Sequence, residues 1–229
     1  MVPYYQDDAV QIFHGDCREI LPTLPKVDLV LTDPPYGIGY KSGYSDNFEK
    51  IVGDDGTLDV VGCIKQTLGC LLNGKHLYVF GRWDLAGLPI GPSAELVWDK
   101  EKFGMGNLEL PWGPQHEIIT FAVHLTRPAA RKAGRGGLTA RMRRGSVLRS
   151  LRPNAARVNR HPTEKPVDIL RQMIESSSLF GNTALDPFMG SGSTLEAAKL
   201  EGRKAIGIEI EEKYCEIAAQ RMAQEVLDL

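Results

Sequence analysis

No apolar run in the 229-residue chain approaches the ~18–20 residues needed to cross a bilayer. The first ten residues, MVPYYQDDAV, lack the basic-then-apolar order of a secretory signal. Cysteine is scarce. Cys17, Cys63, Cys70 and Cys215 form no CxxC pair, and no Cys/His cluster has zinc spacing. The expectation is a protein of the reducing cytoplasm with no membrane span, disulfide framework or metal centre. One segment also lacks acid. From 127 to 160 there is no Asp or Glu, against eleven basic residues: Arg127, Arg131, Lys132, Arg135, Arg141, Arg143, Arg144, Arg149, Arg152, Arg157 and Arg160. The net charge of −2 conceals this, because taking those eleven from 27 basic residues leaves 16 against all 29 acidic ones. An acidic body with one concentrated basic segment points to a polyanion met at one place.

Length and composition fit a single α/β domain. Short strands are expected at Val10–Phe13, Val27–Leu31, His76–Phe80, Glu95–Trp98, Glu117–Val123, Thr183–Leu185 and Lys204–Ile210. Helical spacing covers Arg18–Leu24, Leu58–Leu72 with Asn73-Gly74 as its C-terminal cap, Val167 to about Leu179 after Pro166, Thr194–Leu200, and Glu212 to about Leu227. Leu85–Pro92 reads as a short helix or loop, and 37–50, rich in Gly, Ser and Tyr, as a mobile lid.

Two stretches carry chemistry. The first is Thr32-Asp33-Pro34-Pro35-Tyr36-Gly37, directly after the apolar Val27–Leu31 run. The prolines stop both strand pairing and helix formation, leaving a stiff corner at a strand's C-terminal end. Open α/β sheets place their ligands there. The corner offers a carboxylate, the carbonyl of Pro34 and an aromatic ring. That set suits a planar ring bearing an exocyclic amine: Asp33 and the Pro34 carbonyl accept its two N–H groups, and Tyr36 stacks on its face. The bland alternative is a Pro-rich turn with a surface Asp.

The second stretch is a βαβ unit with a Gly-rich first turn, Asp186-Pro187-Phe188-Met189-Gly190-Ser191-Gly192-Ser193-Thr194, followed by a strand that reaches Glu209. A phosphate loop would need GxxxxGK[ST], and no Lys precedes Ser193 or Thr194. A dinucleotide turn would need GxGxxG, and Leu195 stands at the third glycine. Glu209 is placed to accept both hydroxyls of a ribose, and Asp186 to face a cation. A nucleoside with a cationic substituent and no phosphate satisfies both, as S-adenosylmethionine does.

Together these motifs resemble those of the amino-group DNA methyltransferases, which modify N6 of adenine or N4 of cytosine. The family's D/N/S-PP-Y motif reads DPPY at 33–36, and its DPFxGSGT-like motif reads DPFMGSGST at 186–194. The catalytic motif comes first and HPTEKP stands at 161–166, which resembles the family's β group with its HxTxKP motif and circularly permuted order. The resemblance spans roughly 10–126 and 159–220. It implies a Rossmann-like methyltransferase fold, a mostly parallel sheet with helices on both faces. It implies a catalytic domain formed by 1–126 and 161–229, interrupted by a basic insert, 127–160, for target recognition.

Carried over, the resemblance makes Asp33, Pro34, Pro35 and Tyr36 the catalytic set, with Asp33 also facing the cofactor. It puts Asp186, Pro187, Phe188, Gly190, Ser191, Gly192, Ser193 and Thr194 around the methionine part of S-adenosylmethionine and Glu209 on its ribose. Thr163 and Lys165 fall on the cofactor's carboxylate side, and Asp16, with Cys17 beside it, on its adenine. Arg127, Arg131, Lys132, Arg135, Arg141, Arg143, Arg144 and Arg149 become contacts to double-stranded DNA. The turn carries one residue more than the commoner GSGT, so either Ser193 or Thr194 supplies the hydroxyl. The insert is short and Arg/Ala/Gly-rich for a sequence reader.

Asp at the first motif position resembles the adenine enzymes, so the expected reaction is methylation of the N6 amine of a flipped adenine. N4-cytosine methylation is the alternative. A catalytically silent DNA-binding relative and an RNA-directed methylase are readings of other kinds. No cysteine follows a proline, which argues against 5-methylcytosine chemistry. The resemblance is compatible with a homodimer and with a cognate restriction endonuclease on another chain.

Overall fold

The computed structural model describes residues 2–37, 53, 55–104, 106, 108–125, 144–151 and 164–224. Nine strands among them build one sheet: β1 (Tyr5–Gln6), β2 (Val10–His14), β3 (Val27–Thr32), β4 (Leu71–Phe80), β5 (Ile90–Asp99), β6 (His116–His124), β7 (Val147–Arg149), β8 (Thr183–Asp186) and β9 (Lys204–Glu209). The order across the sheet is β1-β2-β9-β8-β3-β4-β6-β5-β7. From β2 through β4 every neighbouring pair is parallel; β1 and β6 run against their neighbours, and β7 is parallel to β5.

Strand periodicity divides the apolar side chains between two layers. Leu29 and Leu31 of β3 point to one face, where α3 (Val167–Ser177), α4 (Ser193–Leu200) and α5 (Glu212–Ala223) bring Ile169, Leu170, Met173, Leu195, Ala198, Cys215 and Ala218. Val30 points to the other, where α1 (Cys17–Ile20), a 3₁₀ turn at Leu21–Thr23 and α2 (Val60–Cys70) bring Ile20, Leu21, Cys63, Ile64 and Leu68. Sheet strands buried on both sides read as near-continuous apolar runs, as VDLVL does.

This layering places the site. After β3 the chain crosses to α2 on one face, and after the adjacent β8 it crosses to α4 on the other. Connections that leave neighbouring strands toward opposite faces open a crevice between them at the strands' C-terminal ends. DPPY follows β3 and DPFMGSGST follows β8, so both motifs border that crevice.

Several expected boundaries move. The helix expected over 58–72 stops at Cys70, and Leu71 enters β4 at once. Leu71 pairs with Val27 and is buried, so sheet pairing outweighs the cap offered by Asn73-Gly74, which lies where the β3–β4 register breaks. The strand expected at Glu95–Trp98 runs from Ile90 to Asp99, because β6 pairs with it along that length and leaves 85–89 as loop. The helix after Pro166 ends at Ser177, whose buried hydroxyl is held by His76 and Tyr78. Within the basic segment, Val147–Arg149 forms an edge strand on β5. The lid expected at 37–50 lies, beyond Gly37, outside the described residues, as does the end of the last expected helix.

Candidate active site

At the end of β3 the two prolines hold Asp33 over the crevice. The Tyr36 hydroxyl donates to Asp33 Oδ1 at 2.9 Å, and the Lys165 ammonium lies 2.5 Å from Oδ2. Burial pushes the Asp33 carboxyl up from its ordinary value and Glu117 adds to that; the Lys165 ammonium and the Tyr36 hydroxyl pull the other way. Among the described residues each oxygen has one partner, and a carboxylate offers about four lone-pair directions, so acceptor capacity remains.

Tyr36 is 36% exposed and stacks on Trp83, with ring centroids 6.3 Å apart at 17°. Trp83 is fixed by donation from its Nε1 to the Phe80 carbonyl at 2.7 Å. Gly81 lies beneath both rings. A Cβ there would come within 2.7 Å of Tyr36 and 2.8 Å of Trp83, and its φ of +98 is itself unfavourable to side chains. A cleft of about 320 Å³ opens beside the corner, lined by Pro35, Tyr36, Leu58, Asp59, Val60 and Trp83.

Across the crevice, Asp186 at the end of β8 is buried with neutral partners. Its Oδ1 accepts from the Thr32 hydroxyl at 2.7 Å and the Phe188 amide at 3.1 Å, and Thr194 adds a further hydrogen bond. Burial pushes its pKa up to about 6, against the pull of those donors. Thr32 immediately precedes Asp33, so this one hydroxyl ties the two motifs together.

Glu209, at the end of β9, accepts the Gly190 amide at 3.0 Å on one oxygen and the Glu211 amide at 2.8 Å on the other. Burial raises its pKa to about 7. The turn between Asp186 and α4 reverses through Gly192 at φ +83, where a Cβ would meet that of Ala218 at 3.0 Å. Pro187, Phe188, Ser191, Ser193 and Thr194 follow this turn, with Ser191, Ser193 and Thr194 buried.

Sequence reasoning did not single out three features. Arg221 of α5 grips the turn from below, donating to Glu164 at 2.7 Å, to the Ser191 carbonyl and the Ser193 hydroxyl at 3.3 Å, and pairing with Glu196. Trp83 backs Tyr36. Behind Lys165 stands Glu117 at 3.4 Å, and behind Glu117 the ammonium of Lys100 at 2.8 Å. A charged residue opening an otherwise apolar strand, Glu117 before IITFAV, is the one sequence signal of the last feature.

Other expected site residues lie as follows. Asp16 ends next to Glu209's strand but caps α1 and pairs with Arg18 at 2.5 Å. The Cys17 thiol is buried and hydrogen-bonded to Cys63. The family resemblance puts Lys165 on the cofactor; here its ammonium lies on Asp33. Arg149 is 70% exposed, 3.6 Å from Asp99 at the catalytic edge. Arg144 pairs instead with Glu175 near the far end of α3. Thr163, Arg127, Arg131, Lys132, Arg135, Arg141 and Arg143 lie outside the described residues. Among the described residues no group of three or more His, Cys, Asp or Glu could hold a metal ion, and no helix is long and apolar enough to cross a membrane.

The chain is similar to the type II methyltransferase M.ScaI of Streptomyces caespitosus, 26% identical over 99% of this chain and 86% of the relative. It is similar to the DNA adenine methyltransferase YhdJ of Escherichia coli K12, 24% identical over 95% and 84%. Among solved structures, the M1.HpyAVI–SAM complex superposes with a TM-score of 0.72 at 22% identity, covering 94% of this chain and 100% of that one. The cytosine-N4-specific PvuII DNA methyltransferase gives 0.71 at 17% identity, covering 99% and 90%. The N6/N4 DNA methylase family matches residues 93–220, more than half of the chain, and the chain belongs to that family of DNA methylases.

Proposed function

We propose that the chain methylates the exocyclic N6 amine of an adenine flipped out of double-stranded DNA. The observation that carries this reading is the Thr32–Asp186 hydrogen bond, which holds the catalytic corner and the cofactor turn on either side of one crevice. The donor set fits S-adenosylmethionine, the methyl donor. Glu209 has both oxygens oriented by backbone amides and acceptor capacity left for a vicinal diol. Asp186 faces the cationic end, and the glycines at 190 and 192 let backbone approach the ligand. When bound, the cofactor supplies an electrophilic methyl on its sulfonium.

The protein's task is to make an aromatic amine nucleophilic. That nitrogen's lone pair is delocalised into the ring. Donation of its two N–H groups to Asp33 and the Pro34 carbonyl draws it toward tetrahedral geometry and frees the pair. Tyr36, braced by Trp83, receives the base face. Leaving the duplex costs the base about a few kcal/mol, which stacking partly offsets. The rest is positioning and desolvation of the reacting groups.

Aspartate at the first motif position and the adenine-methylating relative YhdJ support adenine over cytosine. The 127–160 segment serves as the DNA-binding insert, with Arg149 at the catalytic edge among its phosphate contacts. The type II relatives support a restriction–modification setting, and four free, buried cysteines a reducing cytoplasm. The test is transfer of labelled methyl from S-adenosylmethionine to unmethylated duplex DNA, with product nucleosides separated. N6-methyladenine is the expected product. N4-methylcytosine overturns the choice of base, and absence of label in DNA overturns the reading.

A further inference from the structure

Four charged side chains from four separated stretches form a row of alternating sign under the catalytic corner. Asp33 meets Lys165 at 2.5 Å, Lys165 meets Glu117 at 3.4 Å, and Glu117 meets Lys100 at 2.8 Å. Lys165 and Lys100 are only 7% and 4% exposed. The Lys165 ammonium also lies 5.0 Å from the Phe80 ring and 5.8 Å from the Tyr36 ring. A lysine this buried keeps its charge only where its partners outweigh desolvation. Burial would lower its pKa, but Asp33 and Glu117 together raise it.

We infer that Lys165 is the positioning residue of the catalytic corner: held by Glu117 and Lys100, its ammonium keeps Asp33 ionised and aims it at the incoming amine. The inference rests on the methylation chemistry proposed above. That chemistry needs a carboxylate at Asp33, since a protonated acid has lost acceptor capacity where the N–H must land. The site opposes ionisation by burial and by the nearby Glu117 carboxylate, while Tyr36 supplies one neutral donor. Among the described residues, Lys165 is the cation that contacts Asp33 directly. Glu117 forms a second ion pair with the ammonium, and Lys100 balances Glu117 so that it does not act on Asp33 as a bare negative charge. Lys165 is therefore assigned to the base-activating half of the site rather than to the cofactor.

The sign of the pH effect follows. Removing the ammonium lets the Asp33 pKa climb, so the carboxylate fraction at neutral pH drops and returns as pH rises. For Lys165→Met, kcat is expected to fall roughly tenfold or more at pH 7, one order per unit of upward shift, and to recover toward alkaline pH. The KM for S-adenosylmethionine should stay within about twofold, and Lys165→Arg should restore much of kcat. If Lys165→Met does not fold, Lys165→Met/Glu117→Gln keeps the row neutral and should show the same alkaline recovery. A loss equal at every pH, or a raised cofactor KM with kcat intact, overturns the inference.

A second readout separates this inference from the proposed activity. The ¹³Cγ titration of Asp33 in the cofactor-free protein should move to higher pH when Lys165 is replaced. An unmoved titration overturns the role of Lys165 even if the wild type methylates DNA. A moved titration in a wild type that leaves DNA unlabelled upholds the electrostatic role and condemns the proposed reaction.

Discussion

The two banks of the crevice hold their carboxylates by different means. On the β3 side, Asp33 is balanced by a full charge, the ammonium of Lys165. On the β8–β9 side, Asp186 and Glu209 are held by neutral donors: a threonine hydroxyl and the amides of Phe188, Gly190 and Glu211. Dipoles orient a carboxylate without neutralising it, and both of these acids have raised pKa values, about 6 and about 7. On the proposed reading, the bank that receives a cationic ligand leaves its charge uncompensated until the ligand arrives, and the bank that receives a neutral amine brings its own counter-ion.

Breaking the comparison at its catalytic end should give the largest effect. Asp33→Ala is expected to lower kcat by roughly 10³-fold or more while leaving S-adenosylmethionine affinity nearly unchanged, as measured by single-turnover methylation and calorimetry. Retention of most of the activity would refute the assigned role. Glu209→Ala should do the reverse, weakening cofactor affinity by about 2 kcal/mol, roughly thirtyfold, with a smaller change in kcat at saturating cofactor.

The raised pKa values of Glu209 and Asp186 give pH tests of their bank. Because Glu209 titrates near 7 in the free protein, cofactor affinity should strengthen as pH rises through 7, and Glu209→Gln should flatten that dependence in a titration series from pH 6 to 8. Asp186 yields a stability test. Its folded pKa of about 6 exceeds the ordinary aspartate value of 3.8, so the folded state binds more protons between those limits and loses stability as pH rises across them. Asp186→Asn should therefore be more stable than wild type at pH 7, by about 1–3 kcal/mol, and show no such gain at pH 4, in denaturant melts of the cofactor-free protein. The same variant should bind the cofactor less well. The smallest effect belongs to the exposed rim: Arg149→Ala should reduce the slope of log affinity against log salt for duplex DNA by about one, with little effect on turnover.

The site residues most legible in the sequence were those whose chemistry is local. Two prolines after an apolar strand, and glycines between a strand and a helix, act through their own backbones, so DPPY and DPFMGSGST could be placed before any tertiary information. The charge row could not, because Lys100, Glu117 and Lys165 are joined only when β5, β6 and the segment before α3 meet at one edge. Helix α2 was read past its end because apolar spacing continues through Leu71, a residue whose burial the adjoining strand claims. Val147–Arg149 carries no strand pattern of its own; the open edge of β5 supplies the partner that makes it one.

The reversed strand β6 has a consequence for the water around the site. A connection between two parallel neighbours would return to the opposite rim, whereas β5 and β6, being antiparallel, join beside the catalytic corner. That connection carries Phe103, Leu108, Leu110 and Trp112, all well exposed and Trp112 83% so. Hydrating such surface is unfavourable, at roughly 25 cal/mol for each Å². On the proposed reaction DNA meets this rim, which already holds some of the least comfortably solvated side chains among the described residues, and displacing their water works in favour of the encounter.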